Sequence, residues 1–445
     1  MVQSFGFTYL MICLLAGIVT IVVLTVKLRL HAFFALILAC FVVGLGMQMP
    51  VPAIIELIKE GFGNIMKSLG MIILLGTTLG ILLEHSGSTT VMAAYILRIV
   101  GERRAALSLS LTGLIAGLPL FCDSGYIVLS GLNKPLAKRT GISIAALAVC
   151  LATGLYAVHC LIPPHPGASA AAGLIGVDLG RLIATGIIVA IPAMFTGYFW
   201  AMYAGKRYVP AAGNEEAAAV VREQQDLPGV FRAFLPVLVP VLLISIRSFI
   251  STENEDAEIW RNLLIILGNP VMALIVGVLL ALSNMNKGQR SAINHLLEES
   301  VTKAGVILVI IGGGGAFGAV LAAAHVGDSF KDSLPLTSLG ILFPFLLTSL
   351  LKTAQGSSTV AIITAASIVL PLLPAVGLND PDGRMLAVLA MGAGSMMISH
   401  ANDAYFWVVA RFSGLDMKTM FRVYSLATLF MGLVSLAMIY LISFV

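Results

Sequence analysis

Charge is what this sequence has least of. Only 11% of its 445 residues are Asp, Glu, Lys or Arg, against about 25% in a soluble domain. A chain so poor in charge cannot clothe itself in solvated side chains, which excludes an ordinary soluble enzyme or binding module. The formal net charge of +4 is mild and scattered, so there is no basic patch for nucleic acid. The Lys and Arg residues serve better as orientation signals under the positive-inside rule. Cysteine is scarce as well. Cys13, Cys40, Cys122, Cys150 and Cys160 all lie in or beside apolar stretches. None is spaced as a metal pair, so they read as small buried hydrophobes, and neither metal nor cofactor is expected. A basic n-region is missing too: residues 1–6 hold no Lys or Arg. The apolar run 5–26 exceeds a signal-peptide core and is expected to be a retained first span.

What the chain has in abundance is apolar length. It is 59% hydrophobic, and runs long enough to cross a bilayer, roughly 17–25 residues each, recur from end to end. The fold expected is an all-α polytopic membrane protein. It should have about 10–12 transmembrane helices plus re-entrant hairpins and broken helices. The 44 glycines suit close helix packing between spans. Segments 53–66 and 291–303 are amphipathic and are expected to lie at the interface, each ahead of a Gly-rich span.

Several apolar stretches are interrupted by residues that cannot continue a helix. His159-Cys-Leu-Ile-Pro-Pro-His-Pro-Gly-Ala-Ser169 places three prolines and a glycine within six residues, and each proline removes a donor and crowds the preceding turn. Ser399-His-Ala-Asn-Asp403 breaks a second span, Asp123-Ser-Gly125 a third and Lys352-Thr-Ala-Gln-Gly-Ser-Ser-Thr359 a fourth. Within a bilayer such breaks persist only where they line a protein cavity. They also recur in order. Each half shows a Gly-rich span ending in His85-Ser-Gly87 or His325-Val-Gly327. Each then shows a polar interruption, a His-bearing break, and a Gly-apolar-Asp-apolar run at 176–179 or 414–417. This order suggests duplication: a first half over 1–204, a polar linker over 205–229 and a second half over 230–445. Paired interruptions in two halves are the best sequence pointer to a transporter site. Inversion of the repeats is expected from that class of architecture.

The chemistry of the breaks suits a small polar carboxylate. Half-helix N-termini offer backbone donors and partial positive charge, and hydroxyl and amide side chains can hold the rest of the solute. The candidate substrate-binding residues are Asp123, Ser124, Gly125, His159, Pro164, His165 and Gly167 in the first half. In the second half they are Lys352, Thr353, Gln355, Gly356, Ser357, Ser358, Thr359, Ser399, His400, Asn402 and Asp403. Carboxylates flanked by apolar spans are costly and functional by default, so Asp123 and Asp403 are the candidate proton carriers, with His159, His165 and His400 as alternatives. Lys352 either pairs with a substrate carboxylate or snorkels to the interface. Gly312-Gly-Gly-Gly315 lacks the Gly-Lys-Ser/Thr ending of a phosphate loop and reads as packing. No nucleophile or metal cluster supports an embedded hydrolase. A passive channel and a sodium-coupled carrier stay open.

At these residues the chain resembles the gluconate permease family, the gluconate:proton symporters of the ion transporter superfamily. The resemblance is carried by Pro163-Pro-His-Pro-Gly167, Gly313-Gly-Gly-Ala-Phe317, Lys352-Thr-Ala-Gln-Gly-Ser-Ser-Thr-Val360, Gly394-Ser395, Ser399-His-Ala-Asn-Asp403 and Phe406-Trp407. It implies an inner-membrane, proton-driven carrier of sugar acids and related small carboxylates, with a D-serine carrier among its relatives. It also implies a homodimer with a scaffold and a mobile transport domain. Where gluconate carriers usually read Pro-Leu-Phe-Phe-Glu-Val-Gly, this chain has Pro119-Leu-Phe-Cys-Asp-Ser-Gly125. Pro-Gly-Pro after the histidine is likewise Pro166-Gly-Ala168. Both departures point toward a different hydroxy or amino acid.

Overall fold

A computed structural model describes residues 7–101, 104–206, 227–248, 259–285, 291–323, 339–401 and 403–444. Most of the expected linker, together with His325 and Asn402, lies outside the described residues. Among the described residues every regular element is a helix and none is a strand. Six stretches are long and apolar enough to cross a membrane, or seven if one bent helix pair counts as a single span.

The chain opens with α1 (Phe7–Val22), α2 (Ala32–Gly46) and α3 (Val51–His85). At 35 residues and about 1.5 Å per residue, α3 is longer than the roughly 30 Å hydrocarbon core. It merges the interfacial segment expected at 53–66 with the Gly-rich span that follows it. Its glycines Gly61, Gly63 and Gly70 do not break it, because glycine in a packed helix costs little more than propensity. α14 (Ile293–Ala323) merges 291–303 with its following span in the same way. Between them run α4 (Ser88–Val100), α5 (Ala105–Ala116), α6 (Cys122–Leu129), α7 (Asn133–Thr140), α8 (Ile144–Leu161), α9 (Pro166–Ile175), α10 (Leu179–Gly205), α11 (Val230–Ser248), α12 (Ile259–Leu267) and α13 (Pro270–Ser283). The last two meet at 76° across Asn269. α15 (Leu342–Gln355), α16 (Ser358–Val369), α17 (Pro381–Met396), α18 (Ala404–Ser413) and α19 (Met417–Ile442) complete the chain.

Two packed groups result. In one, α14 lies along α2 and α3, with α11 and α13 beside α3. The glycine run of α14 is what permits this. Gly312 faces the Phe62 ring, Gly313 faces Phe33 and Leu36, and Gly315 lies against the Gly61 backbone. In the other group α8 is the hub, buried along nearly its whole length between α5 and α10. α5 and α8 cross where Gly113 and Gly154 face one another. A Cβ on Gly113 would stand 2.6 Å from the Leu151 carbonyl oxygen. The second-half helices α15, α17 and α19 pack in succession, and α16 packs against α9.

Candidate functional site

Each interruption ends one helix and begins another, and the starts are what matter. α8 stops at Ile162, which is extended, and the Pro163–Pro164 peptide is cis. His165 is extended as well, and α9 begins with Pro166 at its first position, where a missing N–H costs nothing. α15 stops at Gly356 (φ 83°), and Ser357 caps α16 by accepting from the Val360 N–H at 3.3 Å. α17 stops at Met397, followed by Ile398 at φ 47°, a left-handed conformation rare for a β-branched side chain. Asp403 then caps α18, accepting from the Tyr405 N–H at 3.0 Å. α6 starts at Cys122 after the extended Phe121, with Asp123 in its first turn.

The four starts converge. Cys122, Pro166, Ser358 and Ala404, the first residues of α6, α9, α16 and α18, line one cavity of about 320 Å³. Asp123, Tyr156, His159, Gln355, Gly356, Ser357, Thr359, Asp403 and Tyr405 complete its polar wall. Ile307 and Ile310 of α14 close the apolar side. Four helix N-termini around one space make it attractive to an anion.

Beneath this wall lies a buried ion pair. Lys352 Nζ stands 2.6 Å from Asp403 Oδ2 and donates to the Gly356 carbonyl at 2.5 Å. Lys352 is only 1% exposed, so it does not snorkel to an interface. Asp403 Oδ2 also accepts from the Ser399 hydroxyl. The pair is therefore fixed by hydrogen bonds on both partners, as a buried pair must be. Asp123 makes no ion pair among the described residues and is half-buried at the cavity. The cavity thus carries one uncompensated carboxylate.

The other expected residues fall behind or beside the wall. Ser399 is tied to α19, donating its N–H to Thr428 Oγ1 at 3.0 Å and accepting from Ser425 Oγ at its carbonyl. His400 Nε2 lies 3.2 Å from the Thr353 carbonyl, and Thr353 Oγ1 donates to the Ser349 carbonyl. His165 Nε2 lies 2.9 Å from the Gly117 carbonyl, and its ring meets that of His159 edge-on at 5.0 Å. His165 and Pro164 face a smaller adjoining cleft with Gly76 and Thr77. Gly167 packs on Thr359 and Ile362 of α16, and Gly125 on Leu155 of α8. Ser124 is half-buried in α6 and is not on the cavity wall. No group of three or more His, Cys, Asp or Glu among the described residues is placed to hold a metal.

Sequence reasoning missed the tyrosines. Tyr126, Tyr156, Tyr405 and Tyr424 are fully buried and form a cluster with ring centroids 5.6–6.5 Å apart. Tyr156 OH shares a 2.6 Å hydrogen bond with Ser358 Oγ and donates to the Ser395 carbonyl at 3.1 Å. Tyr405 OH donates to the Ala152 carbonyl at 3.1 Å, and Tyr126 OH pairs with Ser413 Oγ. The signal available was a tyrosine beside each break, Tyr156 before His159 and Tyr405 after Asp403.

Residues 9–445 match the family model described as "GntP family permease". The chain is 35% identical to a gluconate permease of Pseudomonas aeruginosa, covering 98% of each sequence. It is 33% identical to the D-serine transporter DsdX of Escherichia coli K12, over 97% of this chain and 98% of that one. In fold it is similar to the YdaH transporter of Alcanivorax borkumensis. That match has a TM-score of 0.64, covers 89% of this chain and 90% of the other, and has 18% identity.

Proposed function

The chain belongs to the GntP family of permeases, and from that premise we propose a proton-coupled symporter of a small sugar acid or hydroxy acid in the inner membrane. As a member it is a multi-pass membrane permease and not an enzyme. The observation that carries the finer reading is the convergence of four helix N-termini on a cavity whose one uncompensated carboxylate is Asp123. A substrate carboxylate is attracted to the helix starts. It is repelled by Asp123 when that group is ionised, and the low dielectric magnifies the repulsion. Protonating Asp123 removes the repulsion, so solute and proton enter together. Asp403, by contrast, lies 2.6 Å from Lys352 Nζ. The matched helix ends support a duplicated arrangement of the halves 1–204 and 230–445, joined by 205–229 and inverted about this cavity. Gly176 and Gly414 both end a half-helix at positive φ, and Asp178 and Asp416 both cap the next helix. Homodimerisation belongs to the same proposal.

A second reading rests on Asp123. The ammonium of a small amino acid could meet that carboxylate in place of the proton, which suits a relative named as a D-serine transporter. Uptake into proteoliposomes separates the two. Hydroxy-acid accumulation should follow an imposed proton gradient, collapse with a protonophore and ignore a sodium gradient. Accumulation driven by sodium, or flux that only equilibrates, would overturn the proton reading. Accumulation of amino acids alone would favour the second.

A further inference from the structure

A second hollow lies where the two packed groups meet. It is a crease lined by apolar side chains alone, among them Leu79 of α3, Leu179 of α10, Val241 and Ile244 of α11 and Leu274 of α13. Its floor is the back of two breaks that shape the polar cavity, at Pro119 and at Pro163-Pro164. The deep end is at Leu79 and Val237. There Leu79 packs on Gly277, and the neighbouring Gly80 packs on the Pro119 carbonyl. The other end is at Ile244 and Pro270. Leu179, Val241 and Pro270 are only half-buried along the rim, and the exposed Leu238 and Leu242 flank it on α11. The enclosed volume is about 20 Å³, far below the roughly 300–1,000 Å³ of a pocket for a drug-sized molecule. So slight a crease excludes a ring system and suits one flexible hydrocarbon chain lying along it.

The mouth of the crease can be placed in the membrane. α13 runs along α11, with Gly277 beside Pro240 and Gly268, just before its start, beside Leu243. α12 meets α13 at 76°, buries none of its residues and exposes Ile259 and Trp260. With α11 and α13 crossing the bilayer, α12 lies nearly in its plane, where exposed tryptophan and apolar side chains are at home. The junction of α12 and α13 therefore marks headgroup depth. Arg247 sits at that junction. Its Cβ packs on Gly268, and it lies one turn beyond Ile244 on the same face of α11. It makes no ion pair with another described residue. The rise from Val237 to Arg247 is about 15 Å at 1.5 Å per residue, one leaflet of a hydrocarbon core roughly 30 Å thick. We propose that the crease holds one acyl chain of a bilayer phospholipid whose phosphate rests on Arg247. A guanidinium suits phosphate through its forked donors, and the crease supplies apolar cover for the chain. The lipid braces the breaks at Pro119 and Pro164 from behind, whichever solute the polar cavity takes.

The test is native mass spectrometry of the purified full-length protein in detergent, counting lipid adducts. The probes are dioleoylphosphatidylcholine, dioleoylglycerol (the same chains without phosphate) and glycerol 3-phosphate (the phosphate without chains). The phospholipid should be retained about 5-fold or more over dioleoylglycerol, and glycerol 3-phosphate should not displace it. Arg247→Gln should bring that ratio within ~2-fold. Val241→Trp, which fills the rim, should remove the adducts of both lipids. Leu242→Trp, on the exposed outer face of α11, should leave them. An unchanged ratio in Arg247→Gln, or adducts that persist in Val241→Trp, overturns the proposal, because the lipid is then an unspecific coat. Displacement by glycerol 3-phosphate overturns it as well, since a phosphate site would suffice without the crease. If Val241→Trp does not fold, Leu179→Trp on the facing wall replaces it and is read in the same way.

Discussion

Lys352 Nζ lies 2.6 Å from Asp403 Oδ2, joining the last turn of α15 to the cap of α18 where both side chains are almost fully enclosed. The geometry has a direct consequence for stability. Removing one partner strands a charge in a low-dielectric interior, which costs about 3–5 kcal/mol. Lys352→Met should therefore lower the thermal midpoint sharply. Asp403→Asn should do the same, although asparagine still caps the Tyr405 N–H, so its loss reports the charge and not the cap. The double variant should recover much of the deficit, as buried pairs replaced together often do. Thermal unfolding of the four proteins closes the double-mutant cycle, and additive losses would show that the pair is not coupled.

Asp123 has the opposite character, with no ion pair and a face on the cavity. Asp123→Asn mimics the protonated state permanently. It should bind solute without drawing a proton, so gradient-driven accumulation is lost while solute exchange across proteoliposomes continues. In the wild type, apparent affinity should fall as pH rises, because fewer Asp123 carboxyls are protonated. In Asp123→Asn that slope should flatten. Counterflow and pH-jump uptake on the two proteins check both points.

The breaks were legible because proline, glycine and polar residues in an apolar stretch have few structural meanings. Pro166 and Asp403 sit where helix-start chemistry puts them. The partner of Lys352 was not legible. It lies 51 residues away, and a basic residue at a span end has an equally good local fate in snorkelling. The tyrosines were hidden for a similar reason, since one within an apolar run reads as core or interface until its hydroxyl's partner is known. The continuity of α3 and α14 was obscured because an amphipathic first half and an apolar second half look like two elements. Nothing in the pattern reveals that both belong to one rod.

Tyr156 tests whether the cluster shapes the site or only fills space. Its hydroxyl reaches Ser358, the first residue of α16, and the Ser395 carbonyl near the end of α17. Tyr156→Phe keeps the ring packing and leaves those groups with one partner fewer, a loss of about 1–3 kcal/mol where both are buried. The expected result is a lower thermal midpoint together with a several-fold rise in the dissociation constant for the solute, because α16 loses an anchor at the cavity. A fall in stability with unchanged binding would assign the hydroxyl to packing alone.

The contact of α3 with α14 gives the sharpest test of the glycine run, because the same helix carries its own control. A Cβ on Gly61 would collide with the Gly315 carbonyl and stand 2.8 Å from Ala316 Cα. These are backbone atoms of a packed helix and cannot swing aside. Gly61→Ala should force the two helices apart and cost about 1–3 kcal/mol, read as loss of yield and of thermal midpoint. Gly63 lies two residues further along α3 with nothing within 4 Å of where its Cβ would be. Gly63→Ala should be neutral, or stabilising by up to about 1 kcal/mol through helix propensity. Equal effects at the two positions would mean that the helices are not held at the distance the glycines permit.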